Sequence, residues 1–133
     1  MVIDASAIMA ILRREPERRR FVEAIESADS VRISVESFVE TSIFIKVRHG
    51  AEGLRDLGRF LSRAAIEVIP VDEEQGQLAR AAFGRFGKER HHAGLNHGDC
   101  FSYTAAISLG EPLLCRRDNF IHTDVPVFEI RNG

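Results

Sequence analysis

The feature that most constrains the fold is a series of short apolar runs separated by longer segments with helical periodicity. Runs rich in Val, Ile and Leu predict strands at Val2–Asp4, Val31–Ser34, Glu67–Val71, Leu113–Cys115 and Val127–Ile130. Short continuous runs of this kind are typical of strands covered on both faces. Because strands that alternate with helices need crossover connections, the sequence predicts an α/β fold with a mainly parallel, five-stranded sheet.

Helical patterns fill the intervals between these runs. We predict helices over Ser6–Leu12, from Pro16 towards Ala28, from a cap at Ser34 to about His49, over roughly Gly53–Ala65, from about Asp72 to Gly87, and over Asp99–Leu109. Gly50 and Gly110 follow two of these patterns, and glycine is common where a helix ends. In open parallel sheets, ligands bind beyond the carboxyl ends of the strands, so a site is expected at that edge.

The length and charge fit one globular domain. The chain has 133 residues, 44% of them hydrophobic and 29% charged, so we predict a single domain over residues 1–133. The formal net charge of −2 disfavours a passive nucleic-acid-coating protein. An anionic substrate would have to be held by local cations or by a metal ion.

Two further compositional features bear on location. Cys100 and Cys115 are predicted to be buried small hydrophobes, because two cysteines do not make a disulfide framework. The chain opens with Met1-Val2-Ile3-Asp4 and no basic leader, and no window approaches the roughly 18 apolar residues that cross a bilayer. We therefore expect a cytoplasmic protein without a membrane segment.

Four acidic residues stand where a site is expected. Asp4 ends the first predicted strand, Asp118 follows the fourth, and Asp99 opens the last helix. Each of these three has a simpler interpretation as a turn or helix-capping aspartate. Glu40 lies mid-helix on an apolar stripe, where a carboxylate needs a cation or a partner unless it extends to water.

Carboxylates that cluster in this way have a defined chemistry. Hard oxygen ligands without a Cys/His set favour Mg²⁺ or Mn²⁺ over Zn²⁺. Such an ion offsets the repulsion among the acids, binds a phosphate oxygen and activates water for phosphodiester hydrolysis.

The same residues carry a family resemblance over nearly the whole chain. The runs Met1–Ile8 (MVIDASAI), Ser37–Thr41 (SFVET), Ala93–Tyr103 (AGLNHGDCFSY) and Pro112–Phe120 (PLLCRRDNF) resemble the PIN-domain family, specifically the VapC-type toxins of bacterial toxin–antitoxin pairs. Relatives often carry two adjacent acids after the fourth strand, whereas this chain has Asp118-Asn119.

The resemblance implies a fold, an activity and partners. It implies a three-layer α/β/α sandwich and a Mg²⁺- or Mn²⁺-dependent endoribonuclease that is inhibited by a VapB-type antitoxin and commonly forms a homodimer. It maps the family's acids onto Asp4, Glu40, Asp99 and Asp118, and a nearby hydroxyl onto Ser6, which would orient a water or ligand. Ser6 is equally readable as a helix N-cap, and Asp124 as a turn acid or a water-mediated contributor.

RNA binding needs cations beside the acids. The candidates are Arg13, Arg14, Lys88, Arg90, His91, His92 and the pair Arg116-Arg117. The Arg116-Arg117 pair is best placed because it flanks Asp118. Arg18-Arg19-Arg20 is predicted to be a solvated helix face, and the histidine spacing does not match a zinc site.

Partner surfaces and rival functions complete the prediction. On the second to fourth helices, Phe38, Ile45, Phe60 and Leu61 are either core residues or an apolar surface, which the sequence does not separate. As a surface, they would be covered by an antitoxin segment that places an Arg or Lys among the acids. One rival is a receiver-like signalling domain, which would need a lysine after its last strand, and no lysine follows Lys88. The other rival is a catalytically silent PIN-like module that only binds partners.

Overall fold

The structure, a computed structural model, describes residues 1–116 and 118–128. These residues form the strands β1 (Val2–Ile3), β2 (Val31–Ser34), β3 (Ile66–Ile69) and β4 (Leu113–Leu114). The helices are α1 (Ala5–Leu12), α2 (Arg18–Ser27), α3 (Val35–Arg63), α4 (Glu73–Phe86) and α5 (His97–Leu109). A short 3-10 helix follows β4 over Asp118–His122.

The sheet is parallel and has the strand order β3-β2-β1-β4. Val2 pairs with Arg32 on one side and with Leu113 on the other, so β1 is an interior strand. Its carboxyl end is therefore flanked by the ends of β2 and β4. This arrangement confirms the parallel α/β prediction and fixes the edge at which Asp4 lies.

Side chains of successive strand residues enter two different hydrophobic layers. Ile3 and Leu114 pack with residues of α1, α2 and the second half of α3. Val2 and Leu113 pack with residues of α4 and α5 on the opposite face. Because both faces of the sheet are covered, the fold is the predicted three-layer α/β/α sandwich.

The predicted fifth strand is wrong as an element of the described residues. Val127 makes only an isolated parallel bridge to Leu113, with hydrogen bonds from Leu113 N to Pro126 O and from Phe128 N to Leu113 O. The rest of that prediction, residues 129–130, lies outside the described residues.

The predicted break at Gly50 is present as a kink. Gly50 has φ 65° and ψ −157°, which are not helical, so two helical halves of α3 meet there. That backbone region is open essentially to glycine alone. The kink separates a first half of α3, which carries Glu40, from a second half that packs in the core.

Residues proposed for a partner surface are core residues instead. Ile45 and Leu61 are buried, and Phe38 and Phe60 pack partly buried against the α1–α3 layer. The exposed apolar side chains of α3 are Val39, Ile43 and Val47. Sequence periodicity identified an apolar helix but assigned its outward face to the wrong residues. None of the described helices combines the length and the apolar character that spanning a bilayer requires.

Candidate active site

Asp4 is a buried carboxylate between β1 and α1. It is only 2% exposed, and its Oδ2 accepts a hydrogen bond of 3.0 Å from the backbone N of Ser6. Asp4 is therefore the N-cap of α1, which corrects the capping role considered for Ser6. Its Oδ1 accepts a 2.5 Å hydrogen bond from the hydroxyl of Ser102 on α5.

Ser6 lies inside the first turn of α1 and faces Arg116. Its Oγ accepts a hydrogen bond of 3.0 Å from the backbone N of Arg116. This contact ties the start of α1 to the chain that follows β4, and it brings Asp118 towards the same end of the sheet.

Asp99 lies in the first turn of α5. The helix begins at His97, two residues before the predicted start, because Asn96 is its N-cap. Asn96 Oδ1 accepts from Asp99 N at 2.9 Å, and Asp99 Oδ2 accepts from Asn96 N at 3.0 Å. This reciprocal capping box fixes the Asp99 carboxylate, which is 3% exposed.

Glu40 reaches α5 from the first half of α3. The residue is exposed, so burial does not force its carboxylate to find a cation. A Cβ built on Gly98 would lie 2.7 Å from Glu40 Cδ and 2.8 Å from its Oε1. The carboxyl group therefore lies directly against the Gly98 backbone, one residue before Asp99, where only glycine leaves room. Glu36, one turn earlier, pairs with His97 at 3.2 Å.

A chain of buried hydroxyls joins α3 to α5 beneath the acids. Ser37 and Ser102 are fully buried, with their Oγ atoms 2.9 Å apart. Because Ser102 donates its proton to Asp4, Ser37 is the donor in this pair. Sequence reasoning gave neither serine a role. The available signal was spacing: Ser37 precedes Glu40 by three residues, and Ser102 follows Asp99 by three.

The contacts of α5 direct three acids from different elements towards the same end of that helix. Ser37 meets Ser102, and one turn further along α3 Glu40 meets Gly98, one turn back along α5. Asp99 is three residues from Ser102, which places the two side chains on adjacent turns of one face. Asp4, Glu40 and Asp99 therefore converge on the amino-terminal end of α5.

In the described part of the chain, no three His, Cys, Asp or Glu side chains stand close enough together to share one metal ion. The converging donors are nevertheless carboxylate and hydroxyl oxygens, the chemistry that suits a hard divalent cation. Ser34 Oγ, at the carboxyl end of β2, is buried with no hydrogen-bond partner among the described residues. An orphaned hydroxyl and two fixed carboxylates at one sheet edge fit a site that takes up an ion with its waters.

Asp118 occupies the wall of an adjoining cleft. The cleft has a volume of about 520 Å³ and is lined by Ser6, Met9, Ala10, Arg13, Phe44, Arg116, Asp118 and Asn119. Asp118 is exposed at the start of the 3-10 helix. Through Ser6, this cleft is continuous with the α1 cap at Asp4.

Two of the predicted cations line this cleft. Arg116 also forms ion pairs of 3.7 Å with Glu15 and with Glu17, and Arg13 lies 3.9 Å from Glu15. Arg117 lies outside the described residues. Arg18 and Arg19 are exposed on α2, as predicted, and Arg19 pairs with Glu23 at 3.1 Å.

Asp124 is engaged away from the three converging acids. It accepts a hydrogen bond of 2.5 Å from the Tyr103 hydroxyl and lies 3.6 Å from Arg85. Burial, together with this hydrogen bond and the Asp124 charge, raises the pKa of Tyr103 to about 12. The described contacts of Asp124 are thus those of a packing and loop-anchoring residue.

Cys100 and Cys115 are both buried, as predicted. Burial and the neighbouring Asp99 charge raise the pKa of the Cys100 thiol to about 11. A thiol with that pKa stays protonated at neutral pH, so it contributes packing and no nucleophile.

Comparison with known proteins decides the family. The family model described as PIN domain matches residues 1–125. This chain is a PIN-domain protein of the VapC type. It is 48% identical to ribonuclease VapC30 of Mycobacterium tuberculosis over 94% of this chain and 95% of that one. It is 47% identical to ribonuclease VapC of Mycolicibacterium smegmatis over 94% of this chain and 97% of that one.

Solved VapC structures share the fold. The sarcin–ricin-loop-cleaving toxin VapC20 of M. tuberculosis superposes with a TM-score of 0.76 at 14% identity, covering 93% of this chain and 95% of that one. VapBC2 from Rickettsia felis, solved bound to a DNA fragment from its promoter, superposes with a TM-score of 0.75 at 14% identity, covering 96% of each chain. PIN-domain ribonucleases in general depend on divalent metal ions.

Proposed function

We propose that this PIN-domain protein is the ribonuclease toxin of a type II toxin–antitoxin pair and that it cleaves RNA phosphodiesters in the cytoplasm. Its ion would be Mg²⁺ or Mn²⁺, with Asp4, Glu40, Asp99 and Asp118 as ligands. The observation that carries the proposal is the convergence of Asp4, Glu40 and Asp99 at the amino-terminal end of α5. Family membership, through relatives named ribonucleases, supports the same activity.

The chain's own contribution is to fix the carboxylates before the ion arrives. Ser102 holds one oxygen of Asp4 and the Ser6 N–H holds the other. The capping box holds Asp99. A bound divalent ion would supply charge neutralisation at the phosphate and an activated water. Glu40 and Asp118 are both exposed and would adjust to the ion, and Ser6 would orient a water or ligand.

The arginine-lined cleft supplies the phosphate contacts. Arg13 and Arg116 border it together with Asp118. Guanidinium groups bind phosphate oxygens in a bidentate way and position the backbone without reading the base. We therefore place the RNA backbone along this cleft, with the scissile phosphate towards Asp118 and Asp4.

A VapB-type antitoxin is the proposed protein partner. Val39, Ile43 and Val47 lie at four-residue spacing on one face of α3 and are 43%, 59% and 76% exposed. Apolar residues so spaced form a continuous stripe that another helix or strand can cover. The stripe begins beside Glu40, so a segment covering it would reach the acids with a basic side chain. We further propose a homodimer, which sedimentation of the purified protein would test.

The test of the nuclease is RNA cleavage by Asp99→Asn. Asparagine keeps an oxygen that accepts the hydrogen bond from Asn96 N but removes the charge, so the fold is retained and metal binding weakens. We expect the wild type to cleave with Mg²⁺ or Mn²⁺ and not in EDTA, and Asp99→Asn to lose at least about 100-fold in rate. Sequencing of RNA ends after induced expression should show new cleavage sites that the variant lacks.

Asp72→Asn is the matched control. Asp72 caps α4 through a 2.8 Å bond to Gln75 N, but α4 follows the edge strand β3, two strands from β1. The Asp72→Asn variant should retain full ribonuclease activity. Equal cleavage by wild type and Asp99→Asn would overturn the proposal in favour of a silent partner-binding module.

A further inference from the structure

Four aromatic rings form a column that ends on the 3-10 helix begun by Asp118. The imidazoles of His91 and His92 are stacked, with centroids 4.2 Å apart and planes at 28°. His122 meets His92 edge-on at 4.7 Å, and Phe86 meets His91 edge-on at 5.2 Å. The column joins the loop before α5 to the end of the 3-10 helix. These two segments are far apart in the sequence.

The inner end of the column is held by the core. Phe86 is only 7% exposed, and His91 Nδ1 accepts a 3.0 Å hydrogen bond from Ala93 N. Partial burial first, and then the neighbouring His92 and His122, lower the pKa of His91. The loop is closed at its base by hydrogen bonds from Lys88 N to Leu95 O and from Leu95 N to Phe86 O. His91 is therefore held in place at the base of the column.

The outer end of the column faces solvent. His92 and His122 are both exposed, and the His92 ring contacts His91 by stacking and His122 edge-on. In the described part of the chain the three histidines do not form a metal-ligand set. Exposed rings on a fixed base, one beside the other at a steep angle, can hold a flat aromatic group between a face and an edge.

The column lies next to the proposed path of the RNA. The Asn119 side-chain amide donates to Gly94 O at 3.4 Å. This hydrogen bond joins the 3-10 helix to the loop before α5 that carries His91 and His92. Asp118 begins the 3-10 helix and His122 ends it. Four residues of 3-10 helix rise about 8 Å, which is roughly two nucleotide steps of about 3.4 Å each.

We propose that His92 and His122 form a stacking platform for one unpaired nucleobase of the substrate RNA, about two nucleotides from the cleaved phosphodiester. This inference rests on the proposed function, since it assigns a substrate-positioning role at the same site. A stacking platform accepts any base face, so it selects single-stranded segments over duplex and leaves base identity to other contacts.

The test uses short single-stranded RNAs that carry the fluorescent base 2-aminopurine at successive positions. Titrations are made in EDTA, so that binding is measured without cleavage. We expect fluorescence quenching at one position, because 2-aminopurine loses emission when it stacks. His92→Ala should bind roughly 5- to 150-fold more weakly and lose the quenching. His92→Phe should keep both, since it retains a flat ring without charge or hydrogen bonds.

Two further variants make the result specific. His122→Ala removes the second ring from a different segment and should reproduce the effect of His92→Ala. His49→Ala removes an exposed histidine of α3 and should change nothing. With Mg²⁺ or Mn²⁺ present, His92→Ala should raise KM and leave kcat nearly unchanged.

Each outcome separates the platform from the nuclease. If His92→Phe binds RNA as weakly as His92→Ala, or if 2-aminopurine fluorescence is quenched at no position, the platform proposal is wrong, while cleavage can still occur. If His92→Ala cleaves with an unchanged KM, the platform is again wrong and the nuclease stands. Position-specific quenching without metal-dependent cleavage would support the platform and overturn the nuclease.

Discussion

At the residue scale, the acids of this site are held by neighbours that have small side chains. Gly98 leaves room for the Glu40 carboxyl group, and Ser102 donates to Asp4. These two residues stand on either side of Asp99 on α5. The geometry of three carboxylates on three elements therefore depends on two positions of one helix.

Gly98→Ala tests the role of Glu40 without removing any charge. The new methyl group would overlap the Glu40 carboxyl group, which must swing away. The helix itself gains about 0.5–1 kcal/mol, because alanine is the better helix former. We expect a folded protein with roughly 100-fold lower ribonuclease activity, measured by RNA cleavage beside urea unfolding.

Gly76→Ala is the control for that variant. Gly76 lies in α4, and a methyl group added there would have no atom within 4 Å, so the variant should gain the same helix stability and keep full activity. Undiminished cleavage by Gly98→Ala would show that the Glu40 position does not matter for the chemistry.

Tyr103 should make the stability of the folded protein depend on pH in the alkaline range. Its pKa in the folded protein is raised to about 12, against roughly 10 in an unfolded chain. Because the pKa is higher in the folded state, the contribution of the protonated Tyr103 to the free energy of unfolding is complete below pH 10. That contribution is lost as the pH rises towards 12.

Tyr103→Phe should cost about 1 kcal/mol at neutral pH through the lost hydrogen bond to Asp124. The difference in unfolding free energy between wild type and variant should shrink from pH 10 upwards, as measured by urea unfolding in a pH series. A difference that stays constant to about pH 11.5 would contradict the assignment.

At the element scale, α3 performs two tasks on either side of Gly50. The first half brings Glu40 to α5 and exposes the stripe Val39, Ile43 and Val47. The second half buries Leu57 and Leu61 in the core. Sequence periodicity predicted both halves and the break, because these are local properties of the chain.

Ile43→Ser tests the stripe as an antitoxin contact. Ile43 is 59% exposed, so its loss should change stability by no more than about 0.5 kcal/mol. We expect at least about tenfold weaker inhibition by the co-expressed antitoxin, measured as residual RNA cleavage. Ile107→Ser, at an exposed position on α5, should leave inhibition unchanged, and equal inhibition of both variants would place the antitoxin elsewhere.

At the scale of the whole molecule, the sequence predicted the order of the elements and the edge of the sheet at which the site lies. It did not predict the contacts that hold the acidic side chains in position. Short apolar runs and helical spacing depend on neighbouring residues, and they gave the parallel sheet and the end at which Asp4 lies. The Ser37–Ser102 contact joins residues far apart in sequence, as does the contact of Glu40 with Gly98. Such contacts depend on how α3 and α5 cross. The exposure of Ile43 and the burial of Ile45 likewise depend on how α3 packs against its neighbours.

We expect the two hydrophobic layers to unfold together, because they share the strands of one sheet. Tyr103 is the only tyrosine and there is no tryptophan, so its fluorescence reports the α4–α5 layer while far-UV circular dichroism reports every helix. Urea curves from the two probes should coincide, as for a single cooperative domain. Separate midpoints would divide the chain into independent units.

The kink at Gly50 has a genetic consequence. Its φ of 65° and ψ of −157° exclude side chains for backbone reasons alone, at a cost of about 1–3 kcal/mol out of the roughly 5–15 kcal/mol typical of a domain. Any missense codon at this position therefore weakens the protein without touching an acid. Cells that survive unchecked expression should carry lesions at codon 50 as well as at the codons of the carboxylates.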